Sequence, residues 1–513
     1  MSFNVRRLRE DAPRKKVRLW KPIALALIGI SGSLFGFYEH ERERYKEHKA
    51  SAHRCTILKR ILLVLIAVLC ALLLLAGTVK ALSALKILNL GTITKLTGTA
   101  PPQDEWGHTN ILLLGQGDEG HDGVNLTDTI MVASIDPDET KSIVLLSLPR
   151  DLYLLKTEKM GAGRINTMYR DYRSYLQFQK GMEEEEATQE AMRELAAEIG
   201  RHMGIQIHHT AKVDFIGFVK AVDLLEGIDV DVPYDIVDTE YPDENYGFET
   251  FQILAGPQHL DGETALKYAR SRHTTSDFGR SARQQQILTA MGEKAKSIGI
   301  QKDPKKLIEL LRILSANFET TMSISEAVGL AEIARDIERS RIITMQLNDR
   351  NGLYGGLAEP GGFLYNPPRD LFEGASVLLP VSIPEFPVTW KQIQTAVQLL
   401  MHHREVYGTQ PEFAVLNSTA RPGTARRLGN ELLRYGFSVG KVENAESTDQ
   451  ATTTISYNNE ADAALAGFFS LLLDIPVAPL PVDLPASQRT RLTIILGTDY
   501  EFTPLQDLLQ NLQ

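Results

Sequence analysis

Between residues 110 and 148 the chain carries three short apolar runs: NILLLG at 110–115, TIMVASI at 129–135 and SIVLLSL at 142–148. Runs of this length predict strands buried on both faces of a sheet. Pro137 and Asp138 separate the last two, so those strands are expected to pair as a hairpin. The rhythm then changes. Over 183–202, Ala187, Ala191, Leu195 and Ile199 recur at helical spacing in a charged background, which predicts an amphipathic helix lying on the sheet. Further strands are expected at 208–213 and 228–232, around a helix at 215–225. A helix over 281–295 and a helical region over 304–338 follow. Strands and helices mixed at this spacing predict a three-layer α/β/α domain with a mixed central sheet, spanning 109–350.

A proline-rich break at Pro380, Pro384 and Pro387 lies within 351–409, read as linker and helix, the helix at about 389–402. Beyond it the pattern predicts strands at 412–417, 437–442, 453–457 and 491–496, with helices at 424–435 and 461–473. That β-α-β-β-α-β order over 410–500 predicts a small ferredoxin-like α+β domain.

The start of the chain has a different character. Residues 61–79 (ILLVLIAVLCALLLLAGTV) contain no charge and are long enough to cross a hydrocarbon core of about 30 Å as a transmembrane helix, a signal-anchor. Lys59, Arg60 and a basic stretch precede it, whereas few basic residues follow. The positive-inside bias therefore puts the segment 1–60 in the cytoplasm and the main domains outside the cell, beyond a stalk at 80–108. A second apolar run at 23–38, punctuated by Gly29, Gly32 and Gly36, reads as an interfacial or hairpin-like segment, or a helix packed on the anchor.

Net charge is −10, with +9 in residues 1–60 and −19 in the remainder. An acidic body with its basic residues on an N-terminal arm argues against nucleic-acid binding. Cys55 and Cys70 are the only cysteines and fit neither a disulfide framework nor a zinc site.

The candidate chemistry lies in 268–285. Arg270, Arg272, Arg280 and Arg283 fall within 14 residues, together with Asp277. Guanidinium forks match phosphate oxygens bidentately, so such a cluster points to a polyanionic group such as a pyrophosphate; the plain alternative is a salt-bridged helix start. Asp128 stands at the entry to the second strand, Arg150 and Asp151 follow the third, and Arg164-Ile-Asn166 comes after a glycine-rich turn. Arginines that grip phosphates and carboxylates that hold a divalent metal are what phosphoryl transfer requires. There is no Gly-x-Ser-x-Gly elbow, and His121, His208, His209 and His273 read as solvated or packed.

With these segments in order, residues 108–296 resemble the LytR-CpsA-Psr family, and 412–498 resemble the C-terminal domain often attached to it. The matching pieces are 110–115, 127–130, 147–151, 164–166, 213–215, 260–262 and 268–285. The resemblance implies a membrane-anchored extracellular phosphotransferase of cell-wall biogenesis. Such an enzyme moves a glycopolymer from an undecaprenyl-pyrophosphate carrier to a wall acceptor such as peptidoglycan. It further implies that Arg150, Arg270, Arg272, Arg280, Arg283 and Gln284 bind the pyrophosphate. By the same resemblance Asp128 holds Mg²⁺ (or Mn²⁺), Asp151 orients Arg150 and Asp277 fixes the arginine loop. Two positions depart from the family pattern: Gly117 stands where an aspartate is usual, and Leu126 where an arginine is usual. Asp118 and Asp122 are the substitute metal ligands at hand. A lipid groove would draw on Phe215, Phe218, Leu224 and Leu225, which core packing explains equally. The rival readings are a non-catalytic lipid-pyrophosphate or wall-binding scaffold, a lipid-pyrophosphate phosphatase and a transcriptional regulator, the last at odds with the anchor. Arg421, Arg426, Arg427 and Arg434 read as a solvated basic helix face or a wall-polymer contact.

Overall fold

The computed structural model describes residues 99–117, 125–242, 247–271, 277–299, 312–353, 355–381, 388–448 and 450–512, without the side chains of 277 and 278. The apolar runs at 23–38 and 61–79 lie outside them. Among the described residues no helix is long and apolar enough to cross a membrane.

Gly91–Gln513 form one compact unit. At its centre is a six-stranded sheet made of β1 (Thr109–Gln116), β2 (Thr127–Asp136), β3 (Ser142–Leu148), β4 (His209–Asp214), β5 (Phe318–Thr320) and β6 (Ile342–Gln346). The strand order is β5-β4-β1-β2-β3-β6. β1, β2 and β3 form an antiparallel meander, whereas β4 joins β1 and β6 joins β3 in parallel. The sheet is therefore mixed. Its strands are apolar on both sides because both sides are covered. Leu112, Leu114, Val132 and Leu146 meet α1 (Ile165–Lys180) and α2 (Glu184–Met203) in the main core. Met131, Ala133 and Leu145 face the opposite way, toward Leu288.

Ala187, Ala191, Leu195 and Ile199 are all buried, as the four-residue spacing requires. Glu184, Glu185 and Glu186 in the first turn of α2 and Arg201 in the last complement its dipole. Helix α1 was not anticipated, although Ile165, Met168, Tyr169, Tyr172 and Leu176 bury one stripe at helical spacing. The region read as helical over 304–338 is broken by strand β5, which pairs antiparallel with the edge of β4. Three shorter helices carry or support the site: α3 (Phe215–Leu224), α4 (Gly262–Arg270) and α5 (Asp277–Ser297). Helix α6 (Ile324–Ala334) completes this half.

Helices α7 (Lys391–His402) and α8 (Arg404–Thr409) lead into β7 (Glu412–Asn417), α9 (Thr424–Arg434), β8 (Ser438–Asn444), β9 (Thr454–Tyr457), α10 (Ala463–Leu473) and β10 (Leu492–Leu496). The order of elements matches the sequence pattern, but the ferredoxin-like pairing does not hold. The sheet runs β8-β7-β10-β9, with β7 parallel to both neighbours and β9 antiparallel to β10. β7-α9-β8 is thus an unsplit crossover of adjacent parallel strands. Burial explains the difference. β7 and β10 are almost wholly buried and take the centre, while SVGKVEN of β8 alternates with exposed positions and suits an edge.

One core runs through the unit. Leu399, Leu400, Phe413 and Ile494 belong to the same apolar cluster as Leu112 and Leu146. Arg404 is buried at this junction, where it donates to the carbonyl oxygens of Met401 and Ser134 at 2.8 and 3.1 Å. Burial lowers its pKa to about 10. The basic face read on α9 is real for Arg426 and Arg427, which are exposed. Arg434 is not part of it: it is buried in an ion pair with Glu431 at 2.7 Å.

Candidate active site

Sheet register assembles the site. β2 runs antiparallel between β1 and β3, so its first residues lie beside the last residues of both. Thr127 pairs with Gln116, and Ile130 with Leu148. β4 is parallel to β1, and Asp214 at its end pairs with Gln116. Asp128, Arg150, Gln116 and Asp214 therefore share one end of the sheet.

Asp128 is the focus of this end. Arg150 Nη1 lies 3.1 Å from its Oδ2, and Asn166 Nδ2 donates to its Oδ1 at 3.0 Å. Asn166 is buried; its backbone N–H donates to the Arg150 carbonyl at 3.3 Å and its own carbonyl accepts from Thr127 Oγ1 at 3.2 Å. Asp151 lies 3.7 Å from Arg150 Nε and 3.4 Å from Arg164 Nη1. A carboxylate between two guanidinium groups limits where either can swing, so Asp151 is placed to orient Arg150.

The arginine motif approaches from the next helices. The Arg270 guanidinium lies 4.3 Å from the ring centre of Phe215 and 5.3 Å from that of Tyr241, and Nη1 donates to the Tyr241 hydroxyl at 3.0 Å. Phe215 directly follows β4, which places Arg270 at the same sheet end as Asp128. Stacking on aromatic faces fixes the plane of the fork while leaving other N–H groups to meet an anion. Arg280 is buried in the first turns of α5. Arg283, also buried, acts inside the fold: its Nε donates to the Tyr268 carbonyl at 2.8 Å and Nη2 to the Ser271 carbonyl. Burial lowers its pKa from the usual arginine value. Gln284 is half-buried beside it. Arg272, Asp118, Asp122, His121 and His273 lie outside the described residues, as does the side chain of Asp277.

Several motif residues prove to be architectural. Asp214 caps α3 by accepting from the Gly217 N–H at 2.7 Å, and Asp261 caps α4 by accepting from the Thr264 N–H at 2.9 Å. Gly262 has no alternative, because a Cβ there would lie 2.4 Å from the Val219 carbonyl oxygen. Leu225 is buried with Phe218 packed on the same cluster, whereas Leu224 is exposed. His208 and His209 are packed, and burial lowers both pKa values.

Four supporting residues escaped the sequence reading. Tyr241 belongs to the hairpin of Ile236–Pro242 and Phe248–Ile253. From the same hairpin, buried Asp238 accepts from Ser271 Oγ at 2.8 Å, which ties down the start of the arginine loop. Gln285 Nε2 donates to Ser147 Oγ at 2.9 Å and the Met345 carbonyl at 3.0 Å, locking α5 to β3 and β6. Lys212 sits 2.8 Å from Gln116 Oε1 and 2.9 Å from Glu319 Oε2. A lysine inside the otherwise strand-like HTAKVD was its only signal.

An open-ended α/β domain with phosphate-directed arginines at one sheet end defines the class, and comparison with known proteins agrees. The LytR_cpsA_psr family model matches residues 88–360, so the chain belongs to that family. Residues 411–500 match a second model, described as LytR cell envelope-related transcriptional attenuator. Among relatives, the polyisoprenyl-teichoic acid–peptidoglycan teichoic acid transferase TagV of Bacillus subtilis is 30% identical over 243 residues, 46% of this chain and 56% of TagV. The cell wall biosynthesis protein LcpA of Corynebacterium glutamicum is 31% identical over 229 residues, 42% of each chain. The matches thus span about half the length of these relatives. The crystal structure of B. subtilis TagV aligns over 58% of this chain and 98% of its own, at 24% identity and a TM-score of 0.41.

Proposed function

We propose that the chain is a phosphotransferase that moves a glycopolymer from a polyprenyl-pyrophosphate carrier to a cell-wall acceptor such as peptidoglycan. It would act outside the cell, anchored by residues 61–79. The observation that carries this reading is the row at one sheet end: Arg270 stacked on Phe215, and Arg150 held against Asp128 and Asp151. Phosphoryl transfer depends mostly on positioning and charge stabilisation, and guanidinium groups fixed by aromatic rings and carboxylates provide both.

In this scheme Arg150 and Arg270 grip the two phosphates of the carrier. An acceptor hydroxyl attacks the phosphorus next to the sugar in line, and polyprenyl phosphate leaves with the bridging oxygen. The same arginines stabilise the charge that develops on that oxygen. Among the described residues no group of three or more acidic, histidine or cysteine side chains could hold a metal. One carboxylate suffices for Mg²⁺ when substrate phosphates complete the shell, and Asp128, hydrogen-bonded on both oxygens yet about one-third exposed, suits that use. Asp118 and Asp122 are the further candidates. Bound there, Mg²⁺ or Mn²⁺ would neutralise phosphate charge.

The test is incubation of the full-length chain, in detergent, with a short-chain lipid-pyrophosphate saccharide, peptidoglycan fragments and Mg²⁺. Wild type is expected to yield saccharide joined to the acceptor, and Arg270→Ala to lose most of it. Saccharide phosphate released free into solution would favour the phosphatase reading. Retention of lipid by wild type without turnover would favour the scaffold.

A further inference from the structure

A cavity of about 230 Å³ lies where the first turn of α9, the loop at Gly352 and Leu353, and the segment at Phe502 and Pro504 come together. Its wall holds Arg426, Arg427 and Arg434 against a single carboxylate, Glu431, so positive charge is in excess. Glu431 is already engaged: it pairs with Arg434 at 2.7 Å and accepts from the Leu505 N–H at 2.9 Å. Among the described residues neither Arg426 nor Arg427 makes a salt bridge, although both are exposed in an acidic protein. The Arg427 guanidinium lies 4.0 Å from the ring centre of Phe502, which holds it flat over the wall.

The backbone adds to the charge. Gly423 precedes α9 with φ of 81°, no side chain caps the helix, and its first turn contains no acidic residue. The first N–H groups and the positive end of the dipole are therefore available beside the two arginines. Solvated arginines on a helix usually find carboxylates at i±3 or i±4; here the excess charge surrounds a concavity with an aromatic wall.

We propose that this cavity is a second anion site, taking a phosphate group carried on a sugar or polyol. The two free guanidinium groups and the first-turn N–H groups suit a tetrahedral oxyanion, Phe502 offers a face for the carbon skeleton, and the volume admits one such unit rather than a length of polymer. The site is separate from the arginines at the end of the central sheet, and its occupancy does not depend on transfer.

The experiment is calorimetric titration of the full-length chain in detergent with glucose 1-phosphate, glycerol 1-phosphate and a glycerol-phosphate oligomer. Acetate serves as a carboxylate control. The double variant Arg426→Ala/Arg427→Ala is expected to weaken phosphate-ester binding at least tenfold, with Tm unchanged because both side chains are exposed. Arg270→Ala is expected to retain the binding at this site within about twofold. Phe502→Leu is expected to weaken it roughly two- to fivefold, the size of an exposed cation–π contact. Tight binding of the oligomer identifies a polymer-borne phosphate as the source, whereas binding of the monoesters alone identifies a free sugar phosphate. Undiminished binding by the double variant, or acetate binding as tightly as the phosphate esters, overturns the proposal.

Discussion

Asn166 donates its side-chain N–H to Asp128 across 38 positions of sequence, on the oxygen opposite the one that Arg150 holds. The Asp128 carboxylate is thereby fixed in rotation. Whatever it binds meets a preset geometry rather than a swinging side chain. Replacing Asn166 by Ala removes that constraint while leaving all charges in place. Transfer activity is expected to fall about 10- to 100-fold, the usual cost of losing an orienting partner at a metal or charge centre. An assay across Mg²⁺ concentrations checks it: the loss should be partly recovered at high metal, and flat insensitivity to metal would contradict the assignment.

Tyr241 and Phe215 are expected to act on substrate through Arg270. Tyr241→Phe removes one hydrogen bond, worth about 1 kcal/mol, or roughly fivefold in kcat/KM. Phe215→Ala, which takes away the stacking face, should cost more. If Arg270 grips the ground state and the transition state alike, the effect appears in KM. A change in kcat alone would show that it acts only as the bond breaks.

The caps at Asp214 and Asp261 should behave as structural residues. Asp261→Ala is expected to cost about 1 kcal/mol of stability and lower Tm by a few degrees. Activity per folded molecule should change little. Thermal melts beside activity at low temperature separate the two. A collapse of activity with Tm intact would place Asp261 in the chemistry after all.

Stability should fall in mild acid. His402 stacks on Trp106 at a ring separation of 3.9 Å, and burial, then the nearby His108, lowers its pKa to about 4. His108, His208 and His209 are also shifted down, with burial the leading cause in each. A histidine whose folded pKa is depressed favours the folded state above its unfolded value near 6.5. That contribution is lost as pH falls toward the folded value. Tm is therefore expected to be level above about pH 7 and to decline between roughly pH 6.5 and 4. His402→Gln should flatten part of the decline.

Much of the sheet was legible because its strands are covered on both faces and so read as unbroken apolar runs. Strand β3 lies over the very residues of its run, and β1 and β2 within two residues of theirs. The hairpin carrying Asp238 and Tyr241 was not legible, since Val237 and Phe248 face solvent and blur its alternation. The arginine cluster stood out by density, but density does not distinguish Arg270, stacked at the sheet end, from Arg283, which acts on backbone carbonyls inside the fold. That distinction needs burial. Pairing in the C-terminal sheet was likewise open to misreading, because element order alone leaves strand neighbours undetermined. The apolar LTIIL of β10 beside the mixed SVGKVEN of β8 carried the answer.

Arg404 has a consequence for how the molecule can be dissected. Its guanidinium crosses from α8 to the turn between β2 and β3, inside an apolar cluster shared by segments nearly 400 residues apart. Cutting the chain after residue 360 would expose Ser134's carbonyl together with a broad greasy surface on α2. The amino-terminal half would then be expected to aggregate rather than work alone. Whatever the terminal segment contributes to recognition, it also serves as the lid of its neighbour's interior, so gene fusions or truncations that treat it as an optional appendage should yield insoluble protein.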